Sequence, residues 1–572
     1  MTINHQHDQQ PDSSTQLLFT TTSTADNDKT NSDLSWWKKR IMKRFSSTES
    51  ESEEASLASS NGFSNHENNN NATVAAGDGI YNNDDENDNN GHNFNNDRRP
   101  PKSKSSLIML VSVAAATAAT LGYDVGIMAA AIQPLEAQME LSGFQKEVAM
   151  GSLNFVAAFG GILGGKVADL YGRKTTIYLC CLLFIVGTFF MAISWSYSVL
   201  LLGRIVTGLG VGVAFVAAPS YITEVSPSDS RGQLNTVFDI SINGGILFGY
   251  VTGFLVQLFS PGNWRLMLGL GAVLPLIVLA LLSRLPESPR WLMLVQRRDE
   301  AKEVLTSLGT STDSEVEHTL QDMQDEIDRE QNTTVPVWLS KGQRYAVQLG
   351  FWQQITGTEA VLYYSADFLE RAGLQSPLLR LAGNIMVGLC KLVPECISMQ
   401  YIDTAGRRPL LFGSAVALFL STAGIAAAFA LHAPPVMLVV LLCAVMASFS
   451  AGLGPFTFLA ASENLGLSER AAGIMACTVA NRMTSGTVAM TAVTISSLVG
   501  DEGLFALYAT AGFLSLFFYW NVPETAGVSL EELSIMRSSS ARTENDNNGD
   551  NNGHRGPTTS EPYMQIEVGE VA

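Results

Sequence analysis

Long apolar stretches with almost no charge are the feature that most constrains this sequence of 572 residues. A helix needs about 20 apolar residues to cross the hydrocarbon core of a bilayer, where every backbone polar group must find an internal partner. Windows of about 19 residues predict twelve such spans. They lie near 106–131, 148–169, 175–195, 199–224, 234–257 and 265–283, and then near 344–370, 379–401, 409–431, 435–463, 469–494 and 502–522. The sequence therefore predicts an all-α polytopic membrane protein with twelve transmembrane helices.

Composition supports this prediction and excludes two other classes of protein. Only 16% of the residues are charged, and most of the net charge of −19 lies in 1–105, 284–344 and 524–572. A soluble enzyme carries about 25% charged residues, and a nucleic-acid binder needs a basic face. The sequence also offers no nucleophile, phosphate loop or metal-ligand spacing. We therefore expect no enzyme, no metal site, no bound cofactor and no nucleic-acid partner.

Polar segments divide the chain into five parts. Asn, Asp and Ser dominate residues 1–105, and 523–572 is similar, so we predict two disordered tails. Six spans over 106–283 precede a charged, helical middle loop over 284–343, and six more follow over 344–522. Lys and Arg residues of the short loops lie mostly on the side of the middle loop, which predicts that both termini are cytoplasmic. We expect a monomer in the plasma membrane, with the vacuolar membrane as the alternative.

Three motifs recur at nearly equal distances along the chain. The pairs are DLYGRK and DTAGRR, 234 residues apart, EVSPSDSRG and ENLGLSERAAG, 239 apart, and PESPR and PETAG, 237 apart. Parallel repeats in transporters are related by an axis along the membrane normal. The recurrence therefore predicts two homologous six-helix halves.

The motifs along residues 106–535 resemble those of the sugar porter family of the major facilitator superfamily. Besides the repeated motifs, they are GRIVTGLGVGVAF and FWQQITG, and GYDVGIM, FDISINGGILFGY and NRMTSGTVAM are most similar to plant-type polyol and monosaccharide proton symporters. The resemblance implies alternating access of two halves, with a hexose or polyol and protons as partners within the lipid bilayer. The proton gradient would be the only coupling agent. The alternatives are a facilitative uniporter with the same fold and a non-transporting sugar sensor.

Asp124 lies inside the first apolar span, where a carboxylate costs about 3 kcal/mol on insertion scales. Arg204 in the fourth span is its natural partner and resembles the arginine of the family at that point. If the pair makes and breaks as the halves rock, protonation of Asp124 follows the conformation, which predicts proton coupling. The alternative is a static ion pair that holds the two helices together.

A polyhydroxy substrate needs several amide, hydroxyl or charged partners near the membrane midplane. The resemblance assigns this role to Gln353 and Gln354, whose alternative role is hydrogen bonding between helices. Asp239, Glu359 and Lys391 occupy positions where many hexose carriers have uncharged amides, and the polyol-type group is similar to this chain there. Lys391 lies too deep to reach water easily, so we expect Asp239 or Glu359 as its counter-ion. The alternative is a buried network that satisfies itself.

Three more residues complete the predicted substrate site. Asn481 in the eleventh span is a further contact, and Tyr363 resembles a gate tyrosine of the family, although such aromatic residues often only pack. Phe458 stands where the family usually has Trp, so an aromatic face remains while the indole N–H donor is missing. This departure argues against the binding geometry that the family uses for glucose.

Charged residues at the cytoplasmic helix ends are predicted to gate the site. In the family such groups link helices when the inside is closed and separate when it opens, whereas the alternative is a signal for topology alone. They are Asp169, Arg173, Glu224, Arg231, Glu287 and Arg290 in the first half, and Asp403, Arg407, Glu463 and Arg470 in the second.

Overall fold

The computed structural model of the chain is nearly all helical, which confirms the predicted fold class at that level. It describes residues 104–226, 231–308, 313–331, 340–465 and 469–524. All of them belong to one compact unit that spans 96–572. The two predicted tails lie almost entirely outside the described residues.

Six membrane-length helices follow one another along residues 104–282, and we call them the first helix group. They are α1 (Lys104–Met139), α2 (Gly143–Tyr171), α3 (Arg173–Ala192), α4 (Tyr197–Val225), α5 (Arg231–Phe259) and α6 (Trp264–Leu282, with a 3-10 turn at Leu270–Ala272). Their apolar sequences favour this structure because a helix pairs its own backbone N–H and C=O groups. Arg173 at the start of α3 contacts Asp169 at the end of α2 and Glu224 at the end of α4, so these successive helices run in opposite directions between two ends of the bundle.

Three shorter helices follow and surround a small apolar cluster of their own. They are α7 (Pro289–Leu294), α8 (Arg298–Leu308) and α9 (Asp313–Gln331). Trp291, Leu305 and Leu320 are buried in this cluster, whereas most charged side chains of α8 and α9 are exposed. An amphipathic pattern of this kind is typical of helices that pack at a water-exposed surface.

The second helix group runs from residue 341 to 520 and contains interrupted helices. Its members are α10 (Lys341–Ile355), α11 (Thr358–Arg371), α12 (Pro377–Ala405), α13 (Arg407–Ala430), α14 (Pro435–Ser448), α15 (Gly454–Glu463) and α16 (Arg470–Trp520). A π-helical turn, Phe449–Leu453, joins α14 to α15. Gly357, at φ 84°, separates α10 from α11, and α16 bends at Gly500, at φ 79°.

Ten helices of the described residues are long and apolar enough to cross a membrane, whereas the sequence predicts twelve spans. The two counts differ at the interrupted helices. The stretch Ala472–Trp520 counts once although it has 49 residues, more than twice the length that a bilayer requires. Helices α10 and α11 have 15 and 14 residues, so neither is long enough by itself.

Close packing in the first group depends on glycine. A Cβ atom at Gly122 of α1 would lie 1.9 Å from the carbonyl oxygen of Ile242 in α5, and one at Gly126 would lie 2.2 Å from that of Ile246. No side chain fits at such distances, so the two backbones are in contact. Between the two groups, α2 packs on α16 and α5 packs on α12.

The first copy of the repeated motifs forms a cap at the start of α3. Gly172 precedes the helix in a left-handed conformation, at φ 93°. The Glu287 carboxylate accepts hydrogen bonds from the backbone N–H groups of Arg173 (2.9 Å) and Lys174 (3.1 Å). These N–H groups have no partner inside the helix, so the carboxylate supplies one. Its negative charge is also attracted by the positive end of the helix dipole.

The second copy forms the same cap at the start of α13. Gly406, at φ 81°, precedes the helix, and Glu524 accepts from the N–H groups of Arg407 (2.8 Å) and Arg408 (3.0 Å). The repeat in the sequence therefore corresponds to a repeat in three dimensions. Glycine occupies this position in both copies, because a side chain there would collide with the carboxylate and would strain the backbone.

Replacing Gly172 by alanine is expected to destabilise the protein by about 1–3 kcal/mol, the usual cost of a strained backbone position. The new Cβ would lie 2.4 Å from Oε2 of Glu287. Thermal unfolding of the purified protein in detergent measures the effect. Gly413→Ala in α13 is the matched control, because nothing lies within 4 Å of its added Cβ. Equal melting temperatures for the two variants would contradict the cap.

Candidate functional site

Asp124 of α1 and Arg204 of α4, predicted as a pair, form a buried ion pair. Arg204 Nη1 lies 2.6 Å from Asp124 Oδ2, and the exposed fractions of the two residues are 0% and 6%. Arg204 also donates from Nε to the carbonyl of Ala149 (2.8 Å) and from Nη2 to that of Met150 (3.2 Å), both in α2. One guanidinium therefore joins three helices, while its role in proton coupling stays a prediction.

The predicted amides Gln353, Gln354 and Asn481 lie together between α10 and α16. Asn481 donates from Nδ2 to Gln353 Oε1, and Gln354 donates from Nε2 to Asn481 Oδ1 at 3.4 Å. All three side chains are at least 97% buried. Oε1 of Gln354 is buried without a hydrogen-bond partner. A buried unpaired acceptor costs about 1–3 kcal/mol, so it favours a ligand that donates to it.

Gln353 also holds the π-helical turn, Phe449–Leu453, in place. Its Nε2 donates to the carbonyl groups of Leu453 (2.6 Å) and Gly454 (3.1 Å). Oγ of Ser414 in α13 accepts a further hydrogen bond from the backbone N–H of Leu453, at 3.0 Å. A π turn leaves backbone groups without their usual helical partners, and these side chains supply replacements. In this conformation both the Nε2 and the Oε1 atom of the Gln353 amide are therefore hydrogen bonded to other protein groups.

The predicted charges Asp239, Glu359 and Lys391 belong to one cluster, which also contains Glu395. Glu395, Glu359 and Asp239 are the acids whose charges act on Lys391. Lys391 Nζ lies 4.6 Å from the ring centroid of Phe449, a cation–π contact. No carboxylate of the described residues lies within 4.0 Å of Nζ, so the expected ion pair with Asp239 or Glu359 is not formed in this conformation.

Glu395 of α12 is the member of this cluster whose contacts are best defined. It is 98% buried and accepts a hydrogen bond on Oε2 from Nδ2 of Asn243 in α5. The bond joins the two helix groups along the α5 and α12 contact. In the described part of the chain, no group of three or more His, Cys, Asp and Glu is placed so that it could hold a metal ion.

Arg482 of α16 is a half-buried charge that the sequence analysis missed as a site residue. Its Nε and Nη2 donate to Oδ1 of Asn481, at 2.9 and 2.5 Å. Its guanidinium carbon lies 4.8 Å from the ring centroid of Phe215 in α4. The signal was present in the sequence, because a charge inside an apolar span is a functional-site hypothesis by default.

The aromatic residues considered for the substrate site differ in their contacts with polar groups. Tyr363 is fully buried, and its hydroxyl accepts from Nδ2 of Asn154 in α2 at 3.4 Å, across the two helix groups. Tyr364 instead donates to the carbonyl of Ala489 in α16, at 2.8 Å. Phe458 is half-buried and packs against the main apolar core. Among the described residues, no hydrogen bond or ring pair joins Phe458 to the amides.

The predicted gating charges lie at one end of the bundle, which we call the Arg173 end. Arg173 pairs with Glu224 at 2.8 Å and, less closely, with Asp169 at 3.7 Å. In the second group Arg407 pairs with Glu463 at 3.2 Å. Arg290 reaches Glu326 of α9 at 3.4 Å, Glu287 caps α3, and Arg470 is half-buried at the start of α16; the side chains of Arg231 and Asp403 lie outside the described residues.

The opposite end, which we call the Lys146 end, carries polar contacts between the two groups that the sequence reasoning missed. Lys146 of α2 pairs with Asp367 of α11 at 2.6 Å, and each residue is only 6% exposed. Gln133 of α1 donates to the same carboxylate at 2.9 Å. The fully buried Glu147 accepts from the backbone N–H of Thr494 in α16 at 2.6 Å. This end is therefore closed by bonds that cross between the groups.

Comparison with known families identifies the chain's relatives. A family model described as sugar (and other) transporter matches residues 110–536. The chain is 35% identical over 432 residues to the probable polyol transporter 4 of Arabidopsis thaliana, covering 73% of this chain and 82% of that protein. It is also 30% identical over 431 residues to the galactose-proton symporter of Escherichia coli strain K12, covering 74% and 92%.

The chain also shares its fold with solved structures of transporters. The partially occluded, inward-open xylose transporter XylE of E. coli superposes with a TM-score of 0.67 at 23% identity, covering 74% of this chain and 100% of that one. The proton:xylose symporter XylE bound to 6-bromo-6-deoxy-D-glucose gives a TM-score of 0.65 at 24% identity, covering 76% and 99%.

Replacing Asp367 by asparagine is expected to open the Lys146 end. Lys146 keeps its bond to Glu136 of α1 (2.6 Å) and loses the bond that crosses to the second group. A hydrogen bond between charged groups contributes about 1.5–3 kcal/mol, so the two-state ratio changes roughly tenfold or more. Spin labels on cysteines at Phe144 and Gln375, two exposed positions at this end, report the distance by pulsed EPR. We expect a new population at longer distance.

The matched control is Asp501→Asn. It breaks the pair between Arg371 and Asp501 (2.6 Å), which lies at the same end but inside the second group. A distance distribution that changes equally in both variants, or in neither, would show that the Lys146 pair does not hold this end closed.

Proposed function

This chain belongs to the sugar (and other) transporter family, and from that premise we propose that it moves a polyol or a monosaccharide across a membrane together with protons. It is an integral multi-pass membrane protein and a transporter, not an enzyme. The observation that carries the proposal is the buried pair of Asp124 and Arg204. Relatives named as polyol transporters and as a galactose-proton symporter support both the substrate class and the coupling.

In the proposed mechanism, Asp124 takes up the proton and Arg204 transmits the change. A protonated Asp124 no longer attracts the guanidinium as a charge, so the bond between α1 and α4 weakens. Arg204 stays attached to the α2 carbonyls of Ala149 and Met150. The three helices then shift relative to one another. Each transport cycle passes through both the protonated and the ionised state of Asp124, so the proton and the substrate cross the membrane in the same cycle.

The substrate hydroxyls are proposed to bind the amide cluster and the charges next to it. Gln354 offers the unpaired acceptor, and Asn481 and Gln353 supply further amide groups. Asp239, Glu359 and Lys391 extend the site, with Tyr363 and Phe458 as its aromatic members. Charged partners suit a polyol, because each hydroxyl both donates and accepts a hydrogen bond.

We propose twelve transmembrane spans in two halves, 106–283 and 344–522. The kinked helix α16 then counts as two spans and the pair α10 and α11 as one interrupted span. The Arg173 end with the middle loop 284–343 would face the cytoplasm, as would the tails 1–105 and 523–572. We propose a monomer in the plasma membrane. The contacts that close the Lys146 end then correspond to a state open toward the cytoplasm.

Uptake measurements test the proposal directly. Labelled glucose, fructose, sorbitol, mannitol and inositol are given to transporter-null cells while external pH is recorded. Uptake with matching alkalinisation supports symport. Uptake without a proton signal favours the uniporter, in which the Asp124 pair is only structural. No uptake of any compound, with protein verified at the cell surface, favours the sensor.

Asp124→Asn is expected to abolish accumulation against a gradient while exchange of substrate at equal concentrations persists. Asparagine can still accept a hydrogen bond from Arg204 but cannot titrate, so the coupling is lost and the fold is kept. Concentrative uptake into proteoliposomes with an imposed pH gradient measures this. Asp322→Asn, an exposed acid of α9, is the control. Undiminished accumulation by Asp124→Asn would remove this carboxylate from coupling.

Lys391→Asn is expected to shift the preference from polyols toward hexoses, with the KM for a polyol raised about tenfold. Loss of the charge leaves the nearby acids Glu395, Glu359 and Asp239 without their shared cation and removes a strong donor to hydroxyls. Competition of sorbitol with glucose in uptake measures the preference. The control is Lys302→Asn on the exposed face of α8. An identical substrate profile would place Lys391 outside the site.

A further inference from the structure

Arg482 places a positive charge beside the amide cluster, and the mechanism above gives it no role. Two of its nitrogens, Nε and Nη2, donate to the single oxygen Oδ1 of Asn481. Its Nη1 makes no hydrogen bond to any described residue. A guanidinium has five N–H donors in a planar fork. The protein therefore leaves part of the donor capacity of Arg482 unused.

The charge of Arg482 is also incompletely neutralised. No carboxylate of the described residues lies within 4.0 Å of the guanidinium. The ring of Phe215 covers it instead, at 4.8 Å. A ring face and one amide oxygen leave this half-buried guanidinium with fewer close partners than a carboxylate would supply. Neutral hydroxyl groups of a ligand can supply the rest.

The unused donor and an unused acceptor belong to two side chains that donate to the same oxygen. Gln354 donates to Asn481 Oδ1 at 3.4 Å, and Arg482 donates to the same oxygen. The other end of the Gln354 amide, Oε1, is buried without a partner. Neighbouring hydroxyl groups of a polyol present the complementary arrangement, since one oxygen accepts while the next hydroxyl donates.

We infer that Arg482 is a specificity-determining residue that recognises, together with Gln354, two neighbouring hydroxyl groups of the transported polyol. This inference rests on the proposed function and narrows its substrate class to compounds with a vicinal diol at one defined position. The guanidinium donates to one hydroxyl oxygen, and Gln354 Oε1 accepts from the other. A site built in this way rejects an analogue that lacks the hydroxyl, because its polar groups then stay unpaired.

The contact with Phe215 gives the recognition a second consequence. Phe215 lies on α4, the helix that also carries Arg204, whereas Arg482 lies on α16 in the other group. Arg482 itself therefore contacts both helix groups, and its ring partner lies on the helix that carries the ion pair with Asp124.

Binding of polyols to the purified protein tests the inference. Sorbitol, mannitol and myo-inositol and the analogues that lack one hydroxyl are titrated by calorimetry into the wild type and Arg482→Gln. In the wild type, removal of one particular hydroxyl is expected to weaken binding about tenfold or more. In Arg482→Gln the complete polyol is weakened about tenfold, and that hydroxyl no longer matters. The effects of the other hydroxyls stay as they were.

Arg482→Lys keeps the charge but not the fork, so it is expected to bind the polyol more weakly than the wild type does and to discriminate less. Arg265→Gln is the matched control. Arg265 also lies over an aromatic ring, that of Trp264 at 4.2 Å, but at the Lys146 end. If Arg482→Gln does not fold, as judged by size-exclusion chromatography, Arg482→Lys and Phe215→Leu provide the comparison, the latter with binding weakened severalfold.

The outcomes separate this inference from the proposed function. A wild type that binds none of the polyols overturns the proposed function. A wild type that binds them, with the same affinity and the same dependence on each hydroxyl in Arg482→Gln, overturns the inference alone. Equal weakening of the complete polyol and of every analogue also overturns it, because a merely structural arginine has that effect.

Discussion

A fully buried guanidinium needs partners inside the protein, and each of the three nitrogens of Arg204 bonds a group from one of two other helices. The Asp124 carboxylate comes from α1, and two backbone carbonyls come from α2. These helices cannot move apart without leaving a charge or a polar group unpaired in apolar surroundings. Neutralising Asp124 removes the strongest of these constraints. The same ion pair therefore accounts for the packing of α1, α2 and α4 and offers a site at which a proton can change it.

The two ends of the bundle are built differently. At the Arg173 end, the caps by Glu287 and Glu524 and the pair of Arg173 with Glu224 each stabilise one helix group. At the Lys146 end, the ion pair with Asp367 crosses from one group to the other. Bonds within a group survive when the groups rock, whereas bonds between groups must break. Opening of the Lys146 end therefore costs the loss of buried polar contacts, and a bound ligand has to compensate for that cost.

Much of this was predictable from the sequence, and the limits have physical reasons. The apolar spans, the repeat and the pairing of Asp124 with Arg204 follow from the cost of placing polar groups in lipid. The resemblance to the family singled out the two glutamines of the amide cluster, and their role in binding the substrate stays a prediction. Arg482 and Lys146 were missed for different reasons. Arg482 carried the signal of a charge inside an apolar span, whereas the partner of Lys146 lies far away along the chain. Asp367 is more than 200 residues from Lys146 in the chain, and no motif joins them.

The sequence alone determined that the chain is a bundle of membrane helices in two related groups, because apolar length and periodic motifs are local properties of the chain. Tertiary structure alone decided which polar groups remain available. It engages both ends of the Gln353 amide with the π-helical turn and Asn481, leaves Oε1 of Gln354 unpaired, and places the Lys391 ammonium over the ring of Phe449. Hydrogen bonds between distant helices depend on ångström-scale geometry, which a linear pattern of residues does not contain.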